Sequence, residues 1–251
     1  MNIKKFLIGT AISTIMLGVF ATGVFAAPSF TLFGGASNVA GEISLVSDLS
    51  NVDPADDFSG IRFDGTLPAT LAGLATLSVD YNVTDDDCAG GSPRFQVRVD
   101  MDMDGVVSAG DKNVFVYLGP LPSFTGCTPN TWVSSGNLVT DPDLRWDTGQ
   151  VGGTFYDSYA NATTLTAGKS VLRISLVVDS AWVFGDSEQT VLVDNAVINS
   201  ESYDFTLLTP SNKDECKNGG WMSFNYPFFK NQGDCVSYVQ SNVHAVANKT
   251  K

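Results

Sequence analysis

The sequence predicts an all-β protein, an antiparallel β-sandwich of jelly-roll type carrying a small disulfide-closed C-terminal appendage. Three observations carry that expectation. Apolar residues recur with a period of two over most of the chain, the signature of strands with one face in a core and one in water. The acidic side chains are 23 Asp against 4 Glu; Glu suits helices, whereas Asp collects in turns. Turn dipeptides then separate the alternating runs at short intervals, at Asp64-Gly65, Gly90-Gly91, Asp104-Gly105, Gly152-Gly153 and Ala167-Gly168.

In chain order, Leu77, Val79, Tyr81 and Val83 alternate with Ser78, Asp80 and Asn82, and Phe95, Val97 and Val99 alternate with Arg94, Gln96 and Arg98. Val114, Val116 and Leu118 repeat the pattern, as do Leu172, Ile174, Leu176 and Val178 around Arg173 and Ser175. Val191 and Val193 lead through Asp194-Asn195 to Val197, and Tyr203 to Leu208 is a last extended run. About ten short strands at this spacing fit two sheets packed face to face, with no helix longer than two turns before residue 210.

Before that body, Lys4 and Lys5 precede an uncharged apolar stretch from Phe6 to Phe25 that ends in small residues at Ala26-Ala27. Residues 1–26 are therefore expected to be an export signal, an uncleaved anchor being the alternative. The organisation expected is a signal at 1–26, a sandwich at 27–208 and a small C-terminal segment at 209–251. No second long apolar run follows, so the mature chain is not expected to span a membrane. Export makes sense of the cysteines: Cys88, Cys127, Cys216 and Cys235 are even in number and suit disulfides. Three pairings are possible; Cys88–Cys127 with Cys216–Cys235 is expected, because the second pair sits in a tail of distinct composition. Asn231 or Asp234 is placed to cap a short helix there, and Trp221, Phe224, Phe229 and Tyr238 are placed to form a mini-core.

Composition excludes several functions. The chain has one histidine, His244, near its C-terminus, which leaves no base for a Ser-His-Asp or Cys-His set. Its four cysteines show no closely spaced pair of the zinc-binding kind. A formal net charge of −13 argues against nucleic acid as a partner. Glu42, Glu188, Glu201 and Glu215 sit in no recognisable motif, so a carbohydrate-active hydrolase ranks third among the readings.

One motif carries specific chemistry. From Asp100 to Asp111 the chain reads D-M-D-M-D-G-V-V-S-A-G-D. Asp100, Asp102 and Asp104 stand at alternate positions, Gly105 permits a sharp bend, and Asp111 closes the twelve. Val106 offers its backbone carbonyl and Ser108 its hydroxyl or a bridging water. Alternating oxygen donors around a tight loop suit calcium, a hard cation. The alternative is an acidic, solvated hairpin without metal. The segment resembles an EF-hand calcium loop, and more closely the dockerin version, which also ends in Asp. It departs from both, because strand-like sequence flanks it where a helix is usual and because the loop occurs once. A structural calcium ion in a loop between two strands is expected. Three other acidic groups, Asp85-Asp86-Asp87, Asp53 with Asp56-Asp57, and Asp141 and Asp143 with Asp147, are expected to be turn formers.

Trp132, Trp146 and Trp182 lie near predicted strand edges or loops and are the candidate ligand-stacking residues, core packing being the competing role. The run Gln189-Thr-Val-Leu-Val-Asp-Asn-Ala-Val-Ile-Asn199 is similar to the closing strand of jelly-roll carbohydrate-binding modules. Asp214-Glu-Cys216-Lys-Asn-Gly-Gly-Trp221 with Phe229-Lys-Asn-Gln-Gly-Asp-Cys235-Val-Ser-Tyr-Val239 resembles a C-terminal segment of uncharacterised exported bacterial β-sandwich proteins. The body resembles the same group at Cys88 to Val97, Asn113 to Gly119 and Gly152 to Asp157. That resemblance implies export and fold. The expected role is a secreted, calcium-stabilised binding module with a glycan or cell-envelope polymer as partner. The alternative is a structural or adhesive surface protein with a protein partner, and the oligomeric state is left open.

Overall fold

The computed structural model describes residues 28–206, 208–224 and 229–241. The expected export signal at 1–26 lies outside them. The strands are β1 (Phe30–Gly34), β2 (Ser37–Val39), β3 (Glu42–Asp48), β4 (Ser59–Phe63), β5 (Leu77–Asp85), β6 (Arg94–Val99), β7 (Lys112–Tyr117), β8 (Val133–Ser134), β9 (Trp146–Asp147), β10 (Val171–Val178), β11 (Glu188–Ile198) and β12 (Glu201–Tyr203). Two short helices accompany them, α1 (Tyr159–Leu165) and α2 (Gln232–Gln240).

The strands form an all-β sandwich. The first sheet runs β1-β4-β10-β6-β7-β9; the second runs β2-β3-β11-β5-β8, with β12 beside β11. Every pairing is antiparallel. The inward residues close one core between the sheets: Ile61, Phe63, Phe95, Val97, Val114, Val116, Ile174 and Leu176 from the first, and Ile43, Leu45, Leu77, Val79, Val191 and Val193 from the second. Burying such side chains contributes about 1.5–3 kcal/mol each. The alternation legible in the sequence thus sets which face is inside, because a strand turns successive side chains to opposite faces.

The ladders slip register at three places, one of them between Thr190 and Val191 in the β11–β5 ladder, and two of the slips redirect apolar side chains. In β10 the register slips between Val171 and Arg173, so Val171 is buried and Leu172 only half-buried, the reverse of strict alternation. In β11 the slip lies between Asp194 and Val197, with Asn195 in the left-handed region at φ 51°. Ala196 and Ile198 therefore enter the core in place of Val197. An extra residue on one strand inverts every side chain beyond it.

The cysteines pair as Cys88–Cys127 and Cys216–Cys235. The second bridge sits in its own small cluster with Phe229, against which Trp221, Phe224, Val236, Tyr238 and Val239 pack. Asn231 caps α2, its side chain accepting a hydrogen bond from the Asp234 amide. Among the described residues no helix is long and apolar enough to cross a membrane.

Trp146 corrects the ligand-stacking assignment. It is fully buried in β9, its indole N–H donating to the Leu138 carbonyl at 3.2 Å and its ring packing on Tyr159. It is a core residue, because β9 closes the edge of the first sheet and turns this side chain inward.

Candidate functional site

The acidic loop is the β6–β7 hairpin connection, held between Val99 and Lys112, which face each other across the ladder. The Asp100 amide donates to the Ser170 carbonyl and Lys169 Nζ donates to the Met101 carbonyl, fastening the loop to the start of β10. Asp100 is buried and accepts from the Asp104 and Gly105 amides at 3.2 and 3.0 Å, folding the chain around its carboxylate. Gly105, at φ 76°, takes the backbone turn that a side chain would strain. The Asp104 carboxylate accepts from the Val106 amide. The Ser108 hydroxyl donates to Asp102 Oδ2 at 3.0 Å, and the Ser108 amide donates to Asp111 Oδ2.

Carboxylate oxygens of Asp100, Asp102 and Asp104 lie within 4.8 Å of one another. Asp111 is buried, and its Oδ1 accepts no hydrogen bond. A buried carboxylate oxygen without a partner carries a desolvation cost that a cation would offset. The donor set is all oxygen, which suits a hard divalent ion. Val106 is exposed, and Ser108 is half-buried. Arg98 joins this loop to the sheet: its guanidinium donates to the Ser108 carbonyl and its Nε lies 3.8 Å from Asp111 Oδ2.

The other acidic groups are engaged in structure. Asp87 Oδ1 accepts from the Cys88 and Cys127 amides, and Asp53 holds a turn through Ala55. Asp141 and Asp143 pair with Arg145, while Asp147 accepts from the Tyr117 hydroxyl at 2.6 Å. Burial, and then that carboxylate, hold the Tyr117 phenol above its usual range. Asp86 differs, because burial and the neighbouring Asp186, Asp85 and Glu188 carboxylates push it up to about 6.

A second feature lies on the outward face of the first sheet. The register aligns Thr31, Arg62, Ser175, Gln96 and Phe115 in one cross-strand row. Arg173, Arg98 and Asn113 form another, and Phe33, Gly60, Val177, Arg94 and Tyr117 a third. Most of these side chains line a groove of about 550 Å³, with Phe58, Asp179 and loop residue Val107 also on its wall. At Asp179 it meets a second depression of about 290 Å³, lined by Arg94, Phe115, Tyr117, Phe155 and Trp182. Arg94 grips Asp179 through two hydrogen bonds of 2.6 Å and stacks over Phe115, 4.9 Å from its centroid.

The structure thus separates the three tryptophans. Trp182 is 67% exposed at the groove end, beside Phe155 at 70%. Trp132 is 42% exposed on the other sheet, where it borders a shallow depression with Glu42, Asp80 and Asp194. Trp146 belongs to the core. Sequence reasoning missed Phe155, Phe33, Phe58 and the assembly of arginines. The one available signal was that Arg94, Gln96 and Arg98 occupy the polar positions of a strand.

No family model and no curated protein matches the chain. A solved structure similar to it is the xyloglucanase domain of NopAA, a type three effector from Sinorhizobium fredii, in complex with cellobiose. The TM-score is 0.30 at 11% identity, covering 70% of this chain and 89% of that one. A likeness of that size carries no argument about function.

Proposed function

We propose that this protein is an exported, calcium-stabilised binding module that holds a polysaccharide along the outward face of its first sheet. The observation that carries this reading is the groove ending at Trp182. Two large aromatic side chains, Trp182 and Phe155, stand exposed beside an arginine–carboxylate pair, where two depressions of about 550 and 290 Å³ share Asp179. Sugars present apolar C–H faces and a rim of hydroxyls, so an exposed ring next to fixed donors and acceptors matches both. The disulfides suit an oxidising compartment, in keeping with the resemblance to exported bacterial β-sandwich proteins. Calcium, in this reading, is structural: Asp100, Asp102, Asp104 and Asp111, with Ser108 and the Val106 carbonyl, would hold it and thereby brace Arg98 and Val107 at the groove wall.

The test is retention of residues 27–251 on a panel of insoluble polysaccharides and cell walls, with Trp182→Ala beside Trp132→Ala. Retention lost in the first variant and kept in the second supports the reading. Absence of retention on every polymer, or retention indifferent to Trp182, overturns it and leaves a protein partner ahead.

A further inference from the structure

We propose that the polymer held by this face is acidic, a polysaccharide bearing carboxylates of the uronate kind, and that Arg173 receives its charge. This rests on the polysaccharide reading above and adds the ligand's chemical class. The chain has five arginines within a net charge of −13, and four of them, Arg62, Arg94, Arg98 and Arg173, line the two adjoining depressions. Carboxylates dominate the molecule as a whole, yet four of its five guanidinium groups gather on this one sheet face. Arg62 is paired with Asp64, Arg94 with Asp179, and Arg98 leans on Asp111. Arg173 makes no hydrogen bond or salt bridge among the described residues, its charge being felt by the Asp64 carboxylate that Arg62 already holds, and it stands directly opposite Arg98 across the β10–β6 ladder.

Like charges directly opposite on neighbouring strands are destabilising. An anion between Arg173 and Arg98 removes that repulsion and gains charge-assisted hydrogen bonds, which are the strong ones for a guanidinium and a carboxylate. The polar neighbours Thr31, Gln96, Asn113 and Ser175 complete a floor suited to sugar hydroxyls. Repeating carboxylates along a chain match arginines spread over the groove length, where a single small acid would use one.

Titration calorimetry with the full mature chain tests this, using a soluble oligogalacturonate of about six units, a neutral cello-oligosaccharide of the same length and a poly-glutamate peptide. The expected result is binding of the oligouronate at least tenfold tighter than the neutral sugar and the peptide. That preference should weaken as salt rises, since screening acts on exposed charge. Arg173→Gln should reduce oligouronate affinity about tenfold, the loss expected for one charged hydrogen bond, well beyond any change in neutral-sugar affinity, and should melt at or above wild type because the repulsion with Arg98 is relieved. Equal affinity for acidic and neutral sugars, or an Arg173→Gln variant that binds the oligouronate like wild type, overturns the acidic assignment while leaving the polysaccharide reading in place. Peptide binding as tight as that of the oligouronate overturns the acidic-sugar assignment in favour of an acidic protein partner. Binding of none of the three overturns both.

Discussion

Replacing Asp104 by Asn separates a calcium loop from an acidic hairpin, because the two predict opposite signs. Asp104 is exposed, and its Oδ1 accepts from the Val106 amide at 2.9 Å. Asn keeps that acceptor and so keeps the turn, while removing one charge from three carboxylates whose oxygens crowd within 4.8 Å. Without metal the change relieves repulsion, so in chelator the variant should melt at or above wild type. With metal it removes a charged ligand. An extracellular loop closed by Asp binds calcium with a dissociation constant of about 10⁻⁴–10⁻³ M. At about 5 mM calcium the linkage relation then gives about 1–2 kcal/mol of stabilisation. For a domain of this size that corresponds to a rise of about 2–8 °C in melting temperature. Scanning calorimetry of both proteins, in chelator and in calcium, should show the two orders of melting cross. A wild-type melt that does not move with calcium, or a variant above wild type in both buffers, would refute the reasoning; the loop would then be a solvated hairpin.

Three further outcomes follow from the geometry. Trp146→Ala should destabilise the sandwich by about 3–5 kcal/mol, the cost of emptying a buried aromatic site, whereas Trp182→Ala should change stability by less than about 0.5 kcal/mol; denaturant melts distinguish them. Cys216→Ser together with Cys235→Ser removes a closed loop of 19 residues' separation, worth about 3 kcal/mol by chain entropy. The tail should become protease-sensitive while the sandwich melts unchanged. Folded Asp86 holds its proton to about pH 6, whereas the ordinary carboxyl releases it near 3.8. The folded state therefore binds the extra proton, and stability falls as pH rises through that window. Asp86→Asn, at a φ of 60° that Asn tolerates, should flatten that fall in a series of melts; an unchanged slope would locate the titration elsewhere.

The aliphatic alternation of β5, β6 and β7 needed no tertiary information, since a period of two on a pleated strand already names the buried face. The twelve-residue acidic loop was legible for the same reason: its donors are close in sequence, and the strands on either side hold its ends together. The tail, with its bridge, its Asn231 cap and its aromatic cluster, is similarly local. Parity was less secure beyond a bulge, as Leu172 and Val197 show, because one residue in an irregular conformation inverts all that follows.

What only the tertiary structure decided is the arginine-bearing face proposed to hold the polymer. Arg62, Arg98 and Arg173 lie far apart in the chain, on β4, β6 and β10, and become neighbours because antiparallel pairing sets those strands side by side in a chosen register. The fates of Trp132, Trp146 and Trp182 were decided in the same way. Each is a tryptophan near a strand end, and composition gives them equal standing; closure of the sheet edge buries one, while the turn after β10 leaves another standing over the groove. Side-chain direction along a strand is a local property of the backbone, but which directions converge on one surface is set by the pairing of distant segments.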